Sequence, residues 1–365
     1  MEEQGIRLHE VFNSLKKRLI IIVGLTLIAS IISATLNFFV IKPKYEKPTK
    51  IFIGKDESED QQEAKIILEN ITNRFIEKSK ELIPNRNVEV IETVEQPEKT
   101  VSLNKAINIV IVGALGLIIG ALIVIFIEFL DNTYKNKDKI EKELDLPVLG
   151  TIPKGKGGNK FIIKKEPKLL VAESCRTLRT NLQYSFSDED AQVIVITSPE
   201  PGEGKSTTAV NLAMSLIQDG KIVILIDCDF KKPSLHKRFK LSNTIGLSEV
   251  LIGSHKLAEA AQMYNNNLIV LTSGNVPSNP AELLDSKALT NLIENLKFSF
   301  DYIILDSSSV QSVTDSQILS SKANGTILVV KAQKTKRDLV KNAIEFLKMV
   351  NANILGIVLN GAEGR

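Results

Sequence analysis

The sequence has little cysteine, histidine or aromatic residue, and each shortage excludes a class of protein. Its 365 residues include two cysteines, too few for a disulfide scaffold or a four-cysteine zinc site. The three histidines are scattered and form no metal-binding motif. The formal net charge is only +3, so the chain lacks the excess positive charge that favours nucleic-acid binding. Charged residues at 24% and hydrophobic residues at 43% are typical of a folded protein and exclude global disorder.

Two long uncharged runs are the most informative feature of this composition. Residues 19–41 contain no charged side chain over 23 positions, and residues 106–127 contain none over 22 positions. At about 1.5 Å per helical residue, either run can cross a hydrocarbon core about 30 Å thick. Basic residues precede the first run and follow the second. This pattern predicts a membrane protein with two spans and with both termini in the cytoplasm.

The segment between the two runs, residues 42–105, is predicted to lie outside the cytoplasmic membrane. Apolar residues recur at helical spacing over residues 61–82, and residues 50–54 and 87–94 are candidate strands. The segment contains no histidine and no metal-binding motif. We therefore expect a small α/β cap rather than an enzyme, and a passive tether is the alternative.

Short β-branched runs alternate with helical stretches from residue 191 onward. The alternation predicts an α/β fold with a doubly wound, mostly parallel sheet. The predicted strands are residues 193–197, 222–227, 268–272, 302–306, 326–330 and 354–360. Ligands of such sheets bind at the carboxyl ends of the strands.

A phosphate-binding loop follows the first of these strands. Residues 198–208 read SPEPGEGKSTT and stand between a strand and a helix, which is the setting of a P-loop. The Lys205 ammonium is expected to reach the β- and γ-phosphates, and the Ser206 hydroxyl to bind Mg²⁺. Pro199 occupies the position where the strict motif has glycine. The predicted nucleotide-binding residues of this loop are Pro201, Gly202, Glu203, Gly204, Lys205, Ser206 and Thr207.

Carboxylates end two further strands beside this loop. Asp227 and Asp229 follow the second strand, and Asp306 ends the fourth. Carboxylates in such positions can hold Mg²⁺ and accept a proton from an attacking hydroxyl. Asp227, Asp229 and Asp306 are therefore candidates for holding Mg²⁺ and for accepting a proton. Asn360, at the end of the last strand, is expected near the adenine.

The order of these motifs resembles a known family. The stretches IVITSPEPGEGKSTTAVNLA, VILIDCDFKKP and DYIILD resemble the Walker A, Walker A′ and Walker B motifs of bacterial tyrosine kinases of capsular and exopolysaccharide synthesis. LHEVFNSLKKR, VIKPKYE and QPEKTVSLNKAINIVIVGALGLIIG resemble a Wzz-like chain-length determinant, or polysaccharide co-polymerase. The resemblance covers nearly the whole chain.

The resemblance implies a membrane-anchored, ATP- and Mg²⁺-dependent protein-tyrosine kinase that regulates polysaccharide polymerisation, chain length and export. Its implied partners are tyrosine-bearing protein substrates, the polysaccharide polymerase and export machinery, and membrane lipid, with no nucleic acid. The resemblance also implies that the catalytic residues are Lys205, Asp227 and Asp229, and that the metal ligands are Ser206, Asp227 and Asp306. Glu173, Arg176 and Arg179 match the family's E-x₂-R-x₂-R pattern, which implies self-association into a ring-like homo-oligomer. Their spacing places them roughly on one helical face.

These observations predict a division of the chain into six segments. They are a cytoplasmic N-terminal segment (1–18), a first transmembrane helix (19–41), a Wzz-like outer loop (42–105), a second transmembrane helix (106–127), a cytoplasmic linker (128–170) and a P-loop ATP-binding domain (171–365).

Two departures from the family pattern keep other functions open. Ser307, Ser308 and Ser309 follow Asp306 where the family has Thr-Pro-Pro, and the five tyrosines form no C-terminal cluster. One alternative is an ATPase switch like MinD or ParA without kinase activity, although Glu200 occupies the position of its signature lysine. The other is a non-catalytic co-polymerase scaffold.

Overall fold

The computed structural model describes residues 15–16, 18–36, 39, 61–82, 105–154, 170–186 and 191–362. The chain divides into two compact units, Met1–Asp131 and Asn132–Arg365. The helices of the first unit are α1 (Leu19–Thr35), α2 (Gln61–Leu82) and α3 (Lys105–Phe129). Helix α2 confirms the helix predicted over residues 61–82. The strands predicted at residues 50–54 and 87–94 lie outside the described residues.

One helix of the first unit has the length and composition of a membrane span. Within α3, the stretch Ile109–Phe129 is 21 residues long and strongly apolar. Helix α1 is also apolar, but it extends over 17 residues and is shorter than the span predicted for residues 19–41. Among the described residues, one helix therefore meets the criterion for crossing a membrane, where the sequence predicted two.

Helices α1 and α3 pack closely through glycine. A Cβ atom added at Gly116 would lie 3.2 Å from the Ala29 Cβ and 3.3 Å from the Thr26 Cα. At Gly120, an added Cβ would lie 3.3 Å from the Ile22 Cα. Small residues at a helix interface let the two backbones approach, and they are frequent where apolar helices associate in membranes.

The second unit is built on one eight-stranded sheet. Its elements in chain order are α4 (Lys137–Leu144), β1 (Val148–Pro153), α5 (Leu170–Tyr184), β2 (Gln192–Thr197), α6 (Lys205–Gln218), β3 (Val223–Asp227), α7 (Leu235–Phe239), α8 (Leu247–Leu251), α9 (Leu257–Ala260), β4 (Ala261–Asn265), β5 (Leu268–Leu271), α10 (Pro280–Asp285), α11 (Lys287–Lys297), β6 (Tyr302–Asp306), α12 (Asp315–Ser321), β7 (Gly325–Lys331), α13 (Arg337–Met349) and β8 (Ile354–Ala362).

The sheet has the order β1-β8-β7-β2-β6-β3-β5-β4. Every pairing is parallel except that of β4 with β5, so the predicted mostly parallel α/β sheet is confirmed. Strand β2 is buried along its whole length. Ile194 and Ile196 belong to the core cluster under α5 and α6, whereas Val193 and Val195 belong to the cluster under α11. Alternate residues of this strand therefore serve opposite faces of the sheet.

The prediction of a linker over residues 128–170 is wrong for part of that range. Strand β1 pairs in parallel with β8 and forms one edge of the sheet, so the sheet begins before residue 171. Leu149 and Ile152 of β1 are buried in the core. A Cβ added at Gly150 would lie 3.2 Å from the Leu178 Cβ, so glycine lets α5 pack closely on β1. Because its backbone is paired and its side chains are buried, β1 is part of the folded unit and not of a linker.

A short segment before α4 holds the loop that follows β7. Thr133 forms an antiparallel bridge with Lys336. The Gln333 amide donates to the Tyr134 carbonyl at 2.9 Å, and the Arg337 amide donates to the Asn132 carbonyl at 2.9 Å. The Arg337 guanidinium carbon also lies 5.4 Å from the centre of the buried Tyr134 ring. The loop between β7 and α13 is thus fixed on its outer side.

Both cysteines of the chain lie in the core of the second unit. Cys175 is on α5, and Cys228 follows β3 directly. Burial raises the pKa of Cys175 to about 12. Burial and the neighbouring carboxylates raise the pKa of Cys228 well above its ordinary value.

Candidate functional site

The carboxyl ends of three adjacent strands bring the predicted site residues together. Strand β6 pairs with β2 on one side and with β3 on the other. Asp227 and Asp306 are direct register partners, so the two carboxylates leave the sheet side by side. The loop that leaves β2 begins after Thr197 and ends where α6 begins at Lys205. Topology alone therefore places the phosphate loop beside the acidic strand ends.

The phosphate loop turns sharply at two glycines. Gly202 has φ of 85° and Gly204 has φ of 103°, a left-handed conformation that favours glycine. A Cβ atom at Gly204 would overlap the side-chain amide of Asn360, so this position has no room for a larger residue. The loop then enters the buried helix α6. Backbone amides in such a turn and at the first turn of a helix form a binding site for an anion.

Lys205 lies between the phosphate loop and the carboxylates. Its Nζ atom is 2.6 Å from Asp229 Oδ2, and both side chains are largely buried. Burial lowers the pKa of the Lys205 ammonium, but the charges of Asp306 and Asp229 outweigh it and raise the pKa above the ordinary value. Lys205 is therefore a positively charged residue at the point where the phosphate loop meets α6. A bound phosphate would compete with Asp229 for this ammonium.

Asp227 is fixed by backbone amides of the loop that follows β3. Its Oδ2 atom accepts hydrogen bonds from the Ser234 and Leu235 amides at 2.9 Å each. Its Oδ1 atom accepts from the Asp229 amide at 3.3 Å. Burial and the charge of Asp306 raise the pKa of Asp227, and these amides oppose the rise. The carboxylate is therefore rigidly oriented.

Asp306 is buried without a hydrogen-bond partner. Neither of its carboxylate oxygens has one among the residues that the structure describes. Burial raises the pKa of Asp306, and the charge of the Lys205 ammonium opposes the rise. A buried carboxylate that lacks hydrogen bonds is unfavourable unless it is protonated or meets a cation. The arrangement fits a divalent ion held beside Asp306.

The donor set fits Mg²⁺ better than a metal held by protein alone. Within the described ranges, no group of three histidine, cysteine, aspartate or glutamate side chains is placed to hold a metal ion. Mg²⁺ usually takes one or two carboxylates and completes its shell with substrate phosphates and water. Asp227, Asp306 and the Ser206 hydroxyl lie where such a shared shell would form.

Two residues support the loop from the other side. Asn360 was predicted near the adenine, but its Nδ2 atom donates to the Glu203 carbonyl at 2.7 Å. Contact with the adenine stays a prediction. Thr335, which no motif indicated, donates from Oγ1 to Glu203 Oε1 at 2.5 Å. These two residues are separated from Glu203 by 157 and 132 positions, so local sequence gave no signal of either contact.

The three serines that replace the family's Thr-Pro-Pro are built into the site. The Ser307 hydroxyl donates to the Ile196 carbonyl at 3.1 Å, and the Ser308 carbonyl accepts from the Thr197 hydroxyl at 2.7 Å. The Ser309 and Ser312 hydroxyls lie 2.6 Å apart. The segment after β6 is therefore bonded to the end of β2 and leaves Asp306 in place.

The three residues of the E-x₂-R-x₂-R pattern have different partners. The Glu173 Oε2 and Arg176 Nη1 atoms are 2.5 Å apart in a solvent-accessible ion pair on α5. Arg179 instead turns toward α6, where Nη1 donates to the Ser215 carbonyl at 2.9 Å and Nη2 lies 3.5 Å from Asp219 Oδ1. Two of the three side chains thus remain near the surface, whereas the third holds two helices of the same unit together.

Comparisons with known proteins agree with this geometry. Residues 190–363 match the ParA family, described as NUBPL iron-transfer P-loop NTPase, and residues 4–94 match the Wzz family, described as chain length determinant protein. Tyrosine-protein kinase YwqD of Bacillus subtilis is 43% identical over 203 residues, which cover 55% of this chain and 86% of that protein. The chain belongs to the bacterial tyrosine-protein kinases.

A longer tyrosine kinase and the solved structure of a kinase domain are also similar to this chain. Tyrosine-protein kinase ptk of Acinetobacter johnsonii is 29% identical over 290 residues, which cover 76% of this chain and 40% of that protein. The chain therefore spans less than half the length of that kinase. The kinase domain of Escherichia coli tyrosine kinase ETK is 27% identical with a TM-score of 0.59, over 63% of this chain and 96% of that domain.

Proposed function

We propose that this chain is a membrane-anchored protein-tyrosine kinase that uses Mg·ATP and regulates the polymerisation, chain length and export of a capsular or extracellular polysaccharide. One observation carries the proposal. The Lys205 ammonium lies beside the carboxylates of Asp227, Asp229 and Asp306 at the carboxyl ends of the central strands. Residues 4–94 of the same chain match a chain-length determinant.

The phosphate loop and Lys205 would bind the triphosphate. Amides of the loop and of the first turn of α6 would face the phosphates, and the Lys205 ammonium would add a full positive charge. When the γ-phosphate draws this ammonium, Asp229 gives up the bond that it makes to Nζ at 2.6 Å. Ser206, Asp227 and Asp306 would hold Mg²⁺, which neutralises charge on the phosphates when bound.

Asp229 would then take part in proton transfer. Its Oδ1 atom accepts the Lys232 amide at 3.0 Å and keeps the side chain in place, while Oδ2 becomes free for a substrate hydroxyl. The tyrosine O–H donates its proton to this carboxylate as the phenol oxygen attacks the γ-phosphorus. The bond from that phosphorus to the β-γ bridging oxygen breaks, and ADP leaves. Asp227, held by three amides, keeps the metal side of the site rigid.

The membrane unit would anchor the kinase with two spans. The close packing of α1 on α3 supports a helical hairpin, with residues 42–105 outside the cytoplasmic membrane and both termini in the cytoplasm. Confinement in lipid raises the effective concentration of neighbouring kinase units. Glu173 and Arg176, which remain near the surface, would contribute to ring-like self-association, and Arg179 would support their helix from within. The polymerase and export machinery would be the further partners.

A second function is an ATPase switch in which no protein is phosphorylated. The match of residues 190–363 to the ParA family favours it. Glu200, at the position where such switches carry a signature lysine, speaks against it.

Phosphotyrosine mass spectrometry distinguishes the two functions. The full chain in detergent is incubated with Mg·ATP and a peptide with clustered tyrosines. We expect phosphotyrosine on the peptide, none with Lys205→Ala, and unchanged yield with Lys322→Ala, which removes a lysine that pairs with Asp285. Hydrolysis of ATP by the parent chain without any phosphotyrosine would establish the switch and refute the kinase.

A further inference from the structure

One residue of the phosphate loop is tied to two neighbouring strands. Glu203 stands between Gly202 and Gly204 and is only 2% exposed. Its carbonyl accepts from Asn360 Nδ2 at 2.7 Å, and its carboxylate accepts from Thr335 Oγ1 at 2.5 Å. Asn360 lies on β8 and Thr335 follows β7. Backbone and side chain of the same residue are therefore both anchored on one side of the loop.

This anchoring sets the direction of a peptide group. A carbonyl that pointed into the loop would repel a phosphate, whereas amides that point inward attract it. Because the Glu203 carbonyl is bonded to Asn360, it is turned toward β8. The carboxylate bond to Thr335 holds the same residue at a second point and opposes rotation of the peptide group.

The support behind Glu203 is itself fixed. Thr335 is buried, and its Oγ1 atom accepts the Lys331 amide at 3.2 Å. Its own amide donates to the Lys331 carbonyl at 3.2 Å. The loop that contains Thr335 is paired on its outer side with the Asn132–Tyr134 segment. A rigid loop is thus placed directly behind the phosphate loop.

The charge of Glu203 matters because phosphates would bind beside it. Its Oε2 atom is buried and has no hydrogen-bond partner in the described part of the chain. Burial raises the pKa of Glu203 to about 8, and Glu200 adds to the rise, while the Thr335 hydroxyl and Lys334 oppose it. The side chain is therefore mostly protonated at neutral pH and becomes anionic above about pH 8.

We propose that Glu203 is a positioning residue, held by Thr335 and Asn360 so that the amides of the phosphate loop face the nucleotide. Its neutral carboxyl completes the support, and its ionisation weakens nucleotide binding by adding a negative charge beside the phosphates. The inference rests on the proposed function, because it assumes that the loop binds a nucleotide.

The first test removes the Thr335 hydroxyl and measures Mg·ADP binding to the full chain in detergent by calorimetry. The matched control is Thr326→Val, because the Thr326 hydroxyl of β7 is also buried but has no hydrogen-bond partner among the described residues. We expect Thr335→Val to weaken binding about tenfold, the effect of losing one hydrogen bond to a buried polar group. The control should change it by less than about twofold. Equal affinities for Thr335→Val and the parent chain would overturn the proposal.

The second test separates positioning from a general effect on folding. Mg·ADP affinity is measured from about pH 7 to about pH 9, which brackets the pKa of Glu203 at about 8. The parent chain should lose affinity across this range relative to Glu203→Gln, whose amide cannot ionise. Identical pH profiles for the two proteins would overturn the proposal.

The outcomes distinguish this inference from the proposed function. If the parent chain binds Mg·ADP and phosphorylates tyrosine but the variants behave like it, only the role of Glu203 fails. If the parent chain binds no Mg·ADP at any pH, the proposed function fails and this inference fails with it. If Thr335→Val unfolds, the pH comparison with Glu203→Gln still decides.

Discussion

Asp306 offers the sharpest test of the site, because the same substitution should raise stability and weaken the response to Mg·ADP. The carboxylate is fully buried, and neither oxygen has a hydrogen-bond partner in the described part of the chain. Burial raises its pKa in the folded state, although the Lys205 ammonium opposes the rise, so the ionised form is disfavoured relative to the unfolded chain. Replacing it with asparagine keeps the shape and removes the charge.

The size and sign of the effect follow from this burial. Asparagine would be a buried polar group without partners as well, so the gain comes from removing the charge, and each unit by which folding raises the pKa of the acid is worth about 1.4 kcal/mol. For a unit of this size, each 1 kcal/mol shifts Tm by roughly 2–4 °C. An acid whose pKa is raised on folding loses stability as pH rises from its unfolded pKa of about 4 toward its folded pKa. The gain from Asp306→Asn should therefore be present at neutral pH and vanish below about pH 4.

Thermal unfolding of the full chain in detergent measures this gain, first with a chelator and then with Mg·ADP. In chelator, Asp306→Asn should unfold at a higher temperature than the parent chain. With Mg·ADP, the parent chain should gain stability and the variant should gain much less, because one metal ligand is lost. Asp285→Asn is the control, since its side chain is 69% exposed and should change stability by less than about 0.5 kcal/mol. A lower Tm for Asp306→Asn in chelator, or an undiminished response to Mg·ADP, would refute the reasoning.

Three further predictions concern the helices. Arg179→Ala should lower the stability of the second unit by about 1–2 kcal/mol, because it removes the bonds to the Ser215 carbonyl and Asp219, and denaturant unfolding would show this. Glu173→Ala should leave the unfolding midpoint unchanged but reduce self-association in analytical ultracentrifugation, and a monomer-only parent chain would refute that role. Gly116→Ile should separate α1 from α3, since even a Cβ atom there lies 3.2 Å from the Ala29 Cβ. Gly24→Ile, whose added Cβ meets no described atom within 4 Å, should not, and cysteine cross-linking between the helices compares the two.

The strands that could be predicted from sequence are those with a strong apolar pattern of their own. All six strands predicted from residue 191 onward are present within a residue or two, because each is a β-branched run that is mostly buried. Two strands were missed. Strand β1 contains Gly150 and ends at Pro153, and β4 is a half-exposed edge strand, so neither shows a strong apolar pattern. Their place in the sheet comes from pairing with β8 and β5.

Some parts of the candidate site could also be predicted from the sequence, and others could not. Lys205, Asp227 and Asp306 could be placed from sequence, because a loop and two strand ends of a parallel sheet must meet at one edge. The bond from Thr335 to Glu203 could not be predicted from sequence, because it depends on how the loop after β7 folds back. The contact of Arg179 with α6 could not be predicted either, because helical spacing gives the face on which a residue lies and not the element that packs against that face.

The two buried thiols make this chain unusually convenient for labelling. The thiolate is the form that attacks a thiol reagent, so Cys175 and Cys228 should remain unmodified while the second unit is folded. A single cysteine introduced on the surface would then carry a spin label or fluorophore without background. Because Cys228 lies between Asp227 and Asp229, its slow modification would in turn serve as a clock for local opening beside the carboxylates.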